Sequence, residues 1–125
     1  MESILLTIKQ LLGVDPYCDH FNTEILVHTN SALMVLNQLG IGPPNGFVVT
    51  GNSETWNDFI GTSTDLEMVK TYVYVKVKLV FDPPQSSAAI ESLKQLINEY
   101  EWRLNVQVDP GKTPSEEEGE PDGNQ

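Results

Sequence analysis

The stretch that decides the fold is TYVYVKVKLVFDPP, residues 71 to 84, because its local pattern fits both a strand and a helix. Apolar residues alternate with polar-tipped ones from Tyr72 to Phe81, which is typical of a half-buried strand. The same region also carries two apolar stripes at helical spacing. The first stripe consists of Leu66, Val69, Val73, Val77, Val80 and Phe81, and the second consists of Met68, Tyr72, Val75 and Leu79.

The residues on either side of this stretch favour the helix. Thr64 and Glu67 match a capping box at its start. Asp82 precedes two prolines, and a residue before proline is disfavoured in the helical region. A ten-residue strand would also need a partner, and the only other extended candidates, residues 47–49 and 106–108, are too short. We therefore predict that residues 65–81 are helical, with one stripe facing the other helices and the second stripe left for a neighbouring chain.

Three further segments have apolar residues at steps of three and four, which is typical of amphipathic helices. They are residues 3–13, which end at Gly13; residues 19–40, which begin at Asp19 and end at Gly40; and residues 86–106, which begin at Ser86 or Ser87. The sequence therefore predicts an all-α fold, a small bundle of about four helices.

Two segments break the helical pattern. Residues 40–63, between the second and third predicted helices, are rich in Gly and Pro, and Trp56, Phe59 and Ile60 are placed to pin this long loop to the core. Loops of this length are usually functional or part of an interface. Residues 109–125 contain six acids, one lysine and no large apolar side chain. We therefore predict a folded domain over residues 1–108 and an extended acidic, Pro/Gly-rich tail over residues 109–125.

Composition limits the function. With 125 residues and 39% hydrophobic content, the chain is predicted to be one small domain. Eighteen acidic residues against seven basic ones give a formal charge of -11, which disfavours binding to nucleic-acid phosphates or to anionic lipid. No apolar stretch approaches the roughly 20 residues of a membrane span. Cys18 is the only cysteine, so an intrachain disulfide cannot form. We expect no membrane association and synthesis in the cytoplasm.

Metal binding is not supported by the sequence. Cys18, Asp19, His20 and His28 are the only candidates, but their spacing does not fit a closed zinc site. We predict instead that His20 lies on the surface and that His28 is packed and hydrogen-bonded. No metal is expected.

Catalytic and cofactor motifs are also missing from the sequence. GIGPPNG, residues 40–46, lacks the lysine and the strand-to-helix context of a phosphate-binding loop. Glu99 and Glu101 are two residues apart on a predicted helix, so their carboxylates point in different directions and do not form a catalytic pair. We predict that they belong to a solvated face of the helix. We therefore predict no catalytic residues and no cofactor.

The join of the last two helices is the most distinctive part of the chain: YVYVKVKLVFDPP, then a serine-rich cap, then INEYEWRLNV. Here the chain resembles the small head-tail connector (adaptor) proteins of long-tailed bacteriophages, in which a helix ending in a Phe-Asp-Pro-Pro turn precedes one ending in acidic-Trp-Arg-Leu. The order of helices extends the resemblance over about residues 1–108. The matching positions are Tyr72, Tyr74, Lys76, Lys78, Phe81, Asp82, Pro83, Pro84, Glu101, Trp102, Arg103 and Leu104.

The resemblance implies a helical subunit that forms a ring, commonly of twelve copies, below the portal of a DNA-filled capsid. Such a ring bridges the portal protein and the tail-completion or stopper protein in the virion neck, and it has no catalytic residues. DNA passes through it without sequence-specific binding. A negative charge suits such a channel, because it repels phosphates over a Debye length of about 8–10 Å. The acidic tail is not part of the family pattern.

The candidate assembly residues come from the second stripe and from the join of the last two helices. We expect Trp102 to anchor the last helix through its large apolar area, and Arg103 to pair with an acidic group. We also expect the chain to assemble only on its partner, with residues 40–63 and the tail changing most. The candidate residues are Met68, Tyr72, Val75, Leu79, Phe81, Asp82, Trp102 and Arg103.

Two other functions are compatible with the sequence. One is a small acidic regulatory or interaction protein that binds a single protein partner through the tail or through residues 40–63. The other is an enzyme with an unrecognised site. The connector predicts copies side by side in a ring, the regulator a monomer or dimer with one partner, and the enzyme a concave polar pocket.

Overall fold

The computed structural model describes residues 2–61 and 63–108, which form five helices and no strand beyond one isolated bridge, between Ser3 and Thr55. The prediction of an all-α fold is confirmed. The predicted tail, residues 109–125, lies outside the described residues. The helices are α1 (Ile4–Leu12), α2 (Asn22–Gln38), α3 (Trp56–Ile60), α4 (Leu66–Phe81) and α5 (Ser87–Val108).

The ambiguous stretch is helical and forms the centre of the bundle. Helix α4 packs against α1, α2 and α5. Val69, Val73 and Val77 of the first stripe are fully buried, and so is Tyr72 of the second stripe. Burial on both sides explains why a sequence that alternates like a strand forms a helix, since every neighbour available to it is a helix.

The apolar periodicity of α1, α2 and α5 is realised in one continuous core. Helix α1 buries Ile4, Leu5 and Ile8, and α2 contributes Ile25 and Leu36. Gly13, with a φ of 80°, ends α1 as predicted, and the Ser86 hydroxyl accepts the Ala89 N–H at 3.1 Å at the start of α5. Residues 106–108, a candidate strand in the sequence, are the last residues of α5.

Two predicted helix caps are wrong. Helix α4 has no capping box at Thr64 and Glu67, because the helix starts one residue later, after Asp65, whose N–H donates to the Ser63 hydroxyl at 3.0 Å. Asp19 does not cap α2 either: the helix begins after Phe21 without a side-chain cap. The chain instead turns at Asp19, whose carbonyl accepts the Asn22 N–H at 3.2 Å.

A capping box does occur within the described residues, inside the predicted loop. Thr55 accepts the Asp58 N–H at 3.1 Å, and the Asp58 carboxylate accepts the Thr55 N–H at 3.0 Å. This reciprocal pair starts α3, a five-residue helix that buries Trp56 and Phe59. The loop is therefore pinned by Trp56 and Phe59, as predicted, but it contains a helix that was not predicted.

Backbone hydrogen bonds tie the start of the chain to α3. The Ile4 N–H donates to the Glu54 carbonyl at 3.0 Å, and the Trp56 N–H donates to the Glu2 carbonyl at 3.1 Å. The Trp56 indole N–H donates to the Thr7 hydroxyl at 3.0 Å inside the core. These contacts fix α3 against α1.

The first half of the loop is also held by α2. Asn30 donates from Nδ2 to the Val49 carbonyl at 3.0 Å and accepts the Val49 N–H at Oδ1, 2.8 Å away. Nearer the start of the loop, Asn37 Nδ2 donates to the Pro43 carbonyl at 2.6 Å. Residues 40–63 were expected to be among the parts that change most on assembly, but in the single chain these hydrogen bonds already hold the loop to α2.

Candidate assembly surface

The turn between α4 and α5 is held by an aromatic contact, by Lys78 and by two prolines. Phe81, the last residue of α4, sits edge-to-face against Phe21 with ring centroids 5.4 Å apart. Lys78 holds the next residue, since its Nζ lies 3.3 Å from the Asp82 carbonyl and 3.7 Å from its carboxylate. Pro83 and Pro84 then fix the backbone before α5 begins. Asp82 is exposed at this turn, and Phe81 is half-buried.

Tyr72 joins α4 to α5 through a hydrogen bond. Its hydroxyl donates to Glu101 Oε2 at 2.7 Å, and its side chain has no exposed area. Burial, reinforced by this hydrogen bond, raises the pKa of Tyr72 well above its usual range. The Lys76 ammonium lies 5.8 Å from the centre of the Tyr72 ring. We expected Glu101 on a solvated face. It is instead half-buried and, from α5, accepts a hydrogen bond from Tyr72 of α4.

The expectation that the second stripe stays open for a neighbouring chain needs correction. Tyr72 and Val75 are buried within the same chain, because a central helix is covered on both sides by its own bundle. Met68 and Leu79 are half-buried and pack against the core. An interface role for these four residues stays a prediction, and the single chain leaves only Met68 and Leu79 partly accessible.

The end of α5 presents its two most distinctive side chains to solvent. Trp102 is 40% exposed, and the residue fully buried at this end of the helix is Leu104. Arg103 does pair with an acid, but within its own helix: Nε and Nη2 both lie 2.8 Å from Glu99 Oε2. Both partners are half-exposed, and such a pair contributes little to stability. Trp102, Arg103 and Asp82 are thus the predicted assembly residues that lie on the surface.

A second exposed apolar surface was not predicted. Val27 and Met34 of α2 and Val48 of the loop are each more than half exposed. They line a groove of about 440 Å³ together with Phe47. Val27 and Met34 are seven residues apart, so they share one face of α2. That spacing is visible in the sequence and could have revealed this surface.

One ion pair connects the start of the chain to α4. Lys70 Nζ lies 2.6 Å from Glu2 Oε1 and 3.6 Å from Glu67 Oε2. The hydrogen bond to Lys70 holds the pKa of Glu2 below its ordinary value, and the same bond raises the pKa of Lys70. The pair therefore favours the charged form of both groups.

A buried lysine fixes the α1–α2 connection. Lys9 is almost fully buried, and its Nζ donates to the carbonyls of Pro16 at 3.1 Å and of Cys18 at 2.8 Å. The ammonium thereby bonds to two of the carbonyls of the turn that follows α1. Lys9 therefore has a structural role, because its ammonium holds the turn between α1 and α2 in place.

The candidate metal ligands are not brought together. His20 is exposed, Cys18 is half-buried, and His28 Nε2 lies 4.0 Å from Glu24. The predicted hydrogen bond of His28 is not made within the described residues. In residues 2–61 and 63–108, no group of three His, Cys, Asp or Glu side chains is placed to hold a metal ion. The helices in this part of the chain are also too short or too polar to cross a membrane.

Comparison with known proteins identifies the family. The profile of the family described as "Phage connector protein" matches residues 4–111, which span every helix from α1 to α5. No curated protein and no solved structure gives a significant match. The matched region includes the α4–α5 turn, which carried the resemblance in the sequence, and it covers most of the chain. The chain therefore belongs to the phage connector protein family.

Proposed function

We propose that this protein is a structural head-tail connector, or adaptor, subunit. Several copies, commonly twelve in such proteins, form a ring under the portal vertex. The ring joins the DNA-filled capsid to the tail or stopper protein, and its inner wall lines the DNA channel. The observation that carries the proposal is the family match over residues 4–111, which supports a connector-type structural role.

The surface of the single chain supports this role in two places. The exposed side chains of Trp102 and Arg103 on α5 and the apolar groove beside α2 offer two separate surfaces for neighbours. A ring subunit needs two complementary surfaces, because each copy contacts one neighbour on either side. The net charge of -11 also suits a channel wall that does not hold DNA phosphates.

The proposed role involves binding and no catalysis, and it places the protein in the virion neck after synthesis in the bacterial host. Copies gather on the portal because contacts between free subunits are too weak to offset the loss of translational entropy. The portal removes much of that loss by holding the subunits close together.

The test is to co-express the chain with the portal protein of the same phage and to image the purified complex by electron microscopy. We expect a ring of connector subunits, coaxial with the portal, and a monomeric chain when the portal is left out. A single copy bound to one partner protein would favour the regulatory alternative. A chain that does not bind the portal at any concentration would contradict the proposal.

A further inference from the structure

A groove between α2, α4 and α5 has an unusual charge for this protein. It measures about 510 Å³, and its apolar wall includes Leu79, Val80 and Ile97. Lys76 and Lys94 line the groove from two different helices. A cationic, partly apolar groove is unexpected in a chain with a formal charge of -11.

The other basic side chains of the described residues all have partners. Three form ion pairs with a carboxylate, and one donates to backbone carbonyls; they are Lys70, Lys78, Arg103 and Lys9. Lys76 and Lys94 differ, because neither has a carboxylate within 4.0 Å among residues 2–61 and 63–108. The Lys76 ammonium lies 5.8 Å from the centre of the Tyr72 ring, but both ammonium groups that lack a carboxylate partner among the described residues line the same groove.

The same chain carries the anionic group that such a groove fits. Residues 109–125 hold six acidic residues and one lysine, and three of the acids, Glu116, Glu117 and Glu118, are consecutive. Residues 1–108 hold twelve acidic and six basic residues, so most of this surface repels the acidic run. Lys76 and Lys94, which line the groove and have no carboxylate within 4.0 Å among the described residues, can attract the acidic run instead.

The distances allow the acidic run to reach the groove of its own chain. Lys94 precedes the end of α5 at Val108 by fourteen residues, which is about 21 Å of helix. Residues 109–115 can span at most about 23–25 Å when a seven-residue chain is extended. Glu116 to Glu118 can therefore be brought to the level of Lys94 by a chain that runs back along α5.

We propose that the groove between α2, α4 and α5 binds the acidic run Glu116–Glu118 of the same chain. The carboxylates pair with Lys76 and Lys94, and the wall of Leu79 and Val80 excludes part of the water around the contact. Binding within one chain is favoured over binding between chains, because the short connection gives an effective concentration in the millimolar range. The inference does not depend on the proposed connector function.

The experiment uses the full-length chain with Cys18→Ser and a spin label on Gly119→Cys, studied by NMR. In low salt, we expect the label to broaden the amide signals of Ser31, Val80 and Ile97 at least threefold more than a diamagnetic label does. Lys94→Glu should remove this broadening. Lys78→Glu makes the same change of charge on α4 at a residue outside the groove and should leave it intact. Broadening that is absent in the parent chain or equal in both variants would overturn the proposal.

Two further samples test the pairing and the choice of occupant. Lys76→Glu and Lys94→Glu, combined with Glu116→Lys, Glu117→Lys and Glu118→Lys, should restore the broadening, since the charges are exchanged. Broadening that stays absent in this variant would contradict the pairing. A mixture of spin-labelled unenriched chain and nitrogen-15-enriched unlabelled chain should show no broadening. Broadening found in the mixture at equal strength would overturn the intrachain occupant in favour of a neighbouring copy's acidic run.

Discussion

Tyr72 stabilises the bundle in two ways, through its buried ring and through its hydroxyl. The ring fills the space between α4 and its neighbours, and the hydroxyl donates to Glu101 at 2.7 Å. A hydrogen bond to a charged acceptor contributes about 1.5–3 kcal/mol. The hydroxyl also makes stability depend on pH, because its pKa is raised in the folded protein.

We predict that Tyr72→Phe lowers the free energy of unfolding by about 1–2 kcal/mol at pH 8, because Glu101 loses its donor. The raised pKa of Tyr72 sets the sign of the pH effect. Above an unfolded-state value of about 10, the unfolded chain loses the tyrosine proton and the folded chain keeps it, so the parent loses stability as pH rises. Urea unfolding at pH 8 and pH 10.5 should show a smaller difference between the variant and the parent at the higher pH. A constant difference would contradict the assigned contact.

For individual residues, the sequence predicts which side chains are buried better than it predicts which side chains contact each other. The burial of Val69, Val73 and Val77 follows from their spacing on one helical face. The contact of Tyr72 with Glu101 joins residues 29 positions apart, and no local pattern encodes it. Trp102 was expected to be an anchor because of its size, but its place on α5 puts it at the surface, and Leu104 is buried instead.

Helix α3 and the loop before it depend on one glycine. Gly42 has a φ of 89°, and a Cβ built there would lie 2.5 Å from Cε1 of Phe59. The Phe59 ring is buried and packs against Phe47 with centroids 5.3 Å apart, so it has little room to move. Gly46 has a similar φ of 94°, but a Cβ there would meet no atom within 4 Å.

We predict that Gly42→Ala destabilises the protein by about 2–4 kcal/mol, from backbone strain and overpacking together. Gly46→Ala is the matched control and should cost about 1–2 kcal/mol, because it introduces the strain alone. Thermal unfolding followed by circular dichroism measures both. Equal losses in the two variants would mean that Phe59 does not hold the loop as described.

The elements themselves were largely predictable, and their boundaries were less so. The long helices followed from apolar periodicity, and the two prolines gave the end of α4. Thr64 and Glu67 have the letters of a capping box, but the Ser63 hydroxyl accepts the first amide of the turn and the helix starts one residue later. Helix α3 was missed because five residues are too few for a periodic signal. Its capping box at Thr55 and Asp58 was the available clue.

At the scale of the whole molecule, α4 is the helix that holds the others, since α1, α2 and α5 all pack on it. A strand-like sequence at the centre of a helical bundle is stable only when it is enclosed, because its two apolar faces cannot both be exposed. Most of the exposed large apolar side chains therefore lie on the other helices and on the loops. Among the residues that match the family pattern, Trp102 on α5 is the large aromatic side chain that is exposed.

We predict that Trp102→Ala reduces the apparent affinity with which subunits assemble into a ring on the portal at least tenfold, since Trp is enriched among the interface residues whose truncation costs more than about 1.4 kcal/mol. The melting temperature should change little, because Trp102 is already 40% exposed in the single chain. Tyr17→Ala is the control, an aromatic residue that is 91% exposed and lies outside the matched positions. Sedimentation of the portal complex measures binding. Equal binding by both variants would exclude Trp102 from the interface.

The pairing of Ser3 with Thr55 has a consequence for the folding of the chain during its synthesis on the ribosome. Helix α1 is synthesised before α3, and its partners Glu54 and Trp56 are added about fifty residues later. At about 5–20 residues per second, these partners follow α1 after on the order of 3–10 s. During that interval the apolar face of α1, with Ile4, Leu5 and Ile8, lacks part of the cover that it has in the folded protein, so we expect the native packing of α1 to form only after Trp56 has been synthesised.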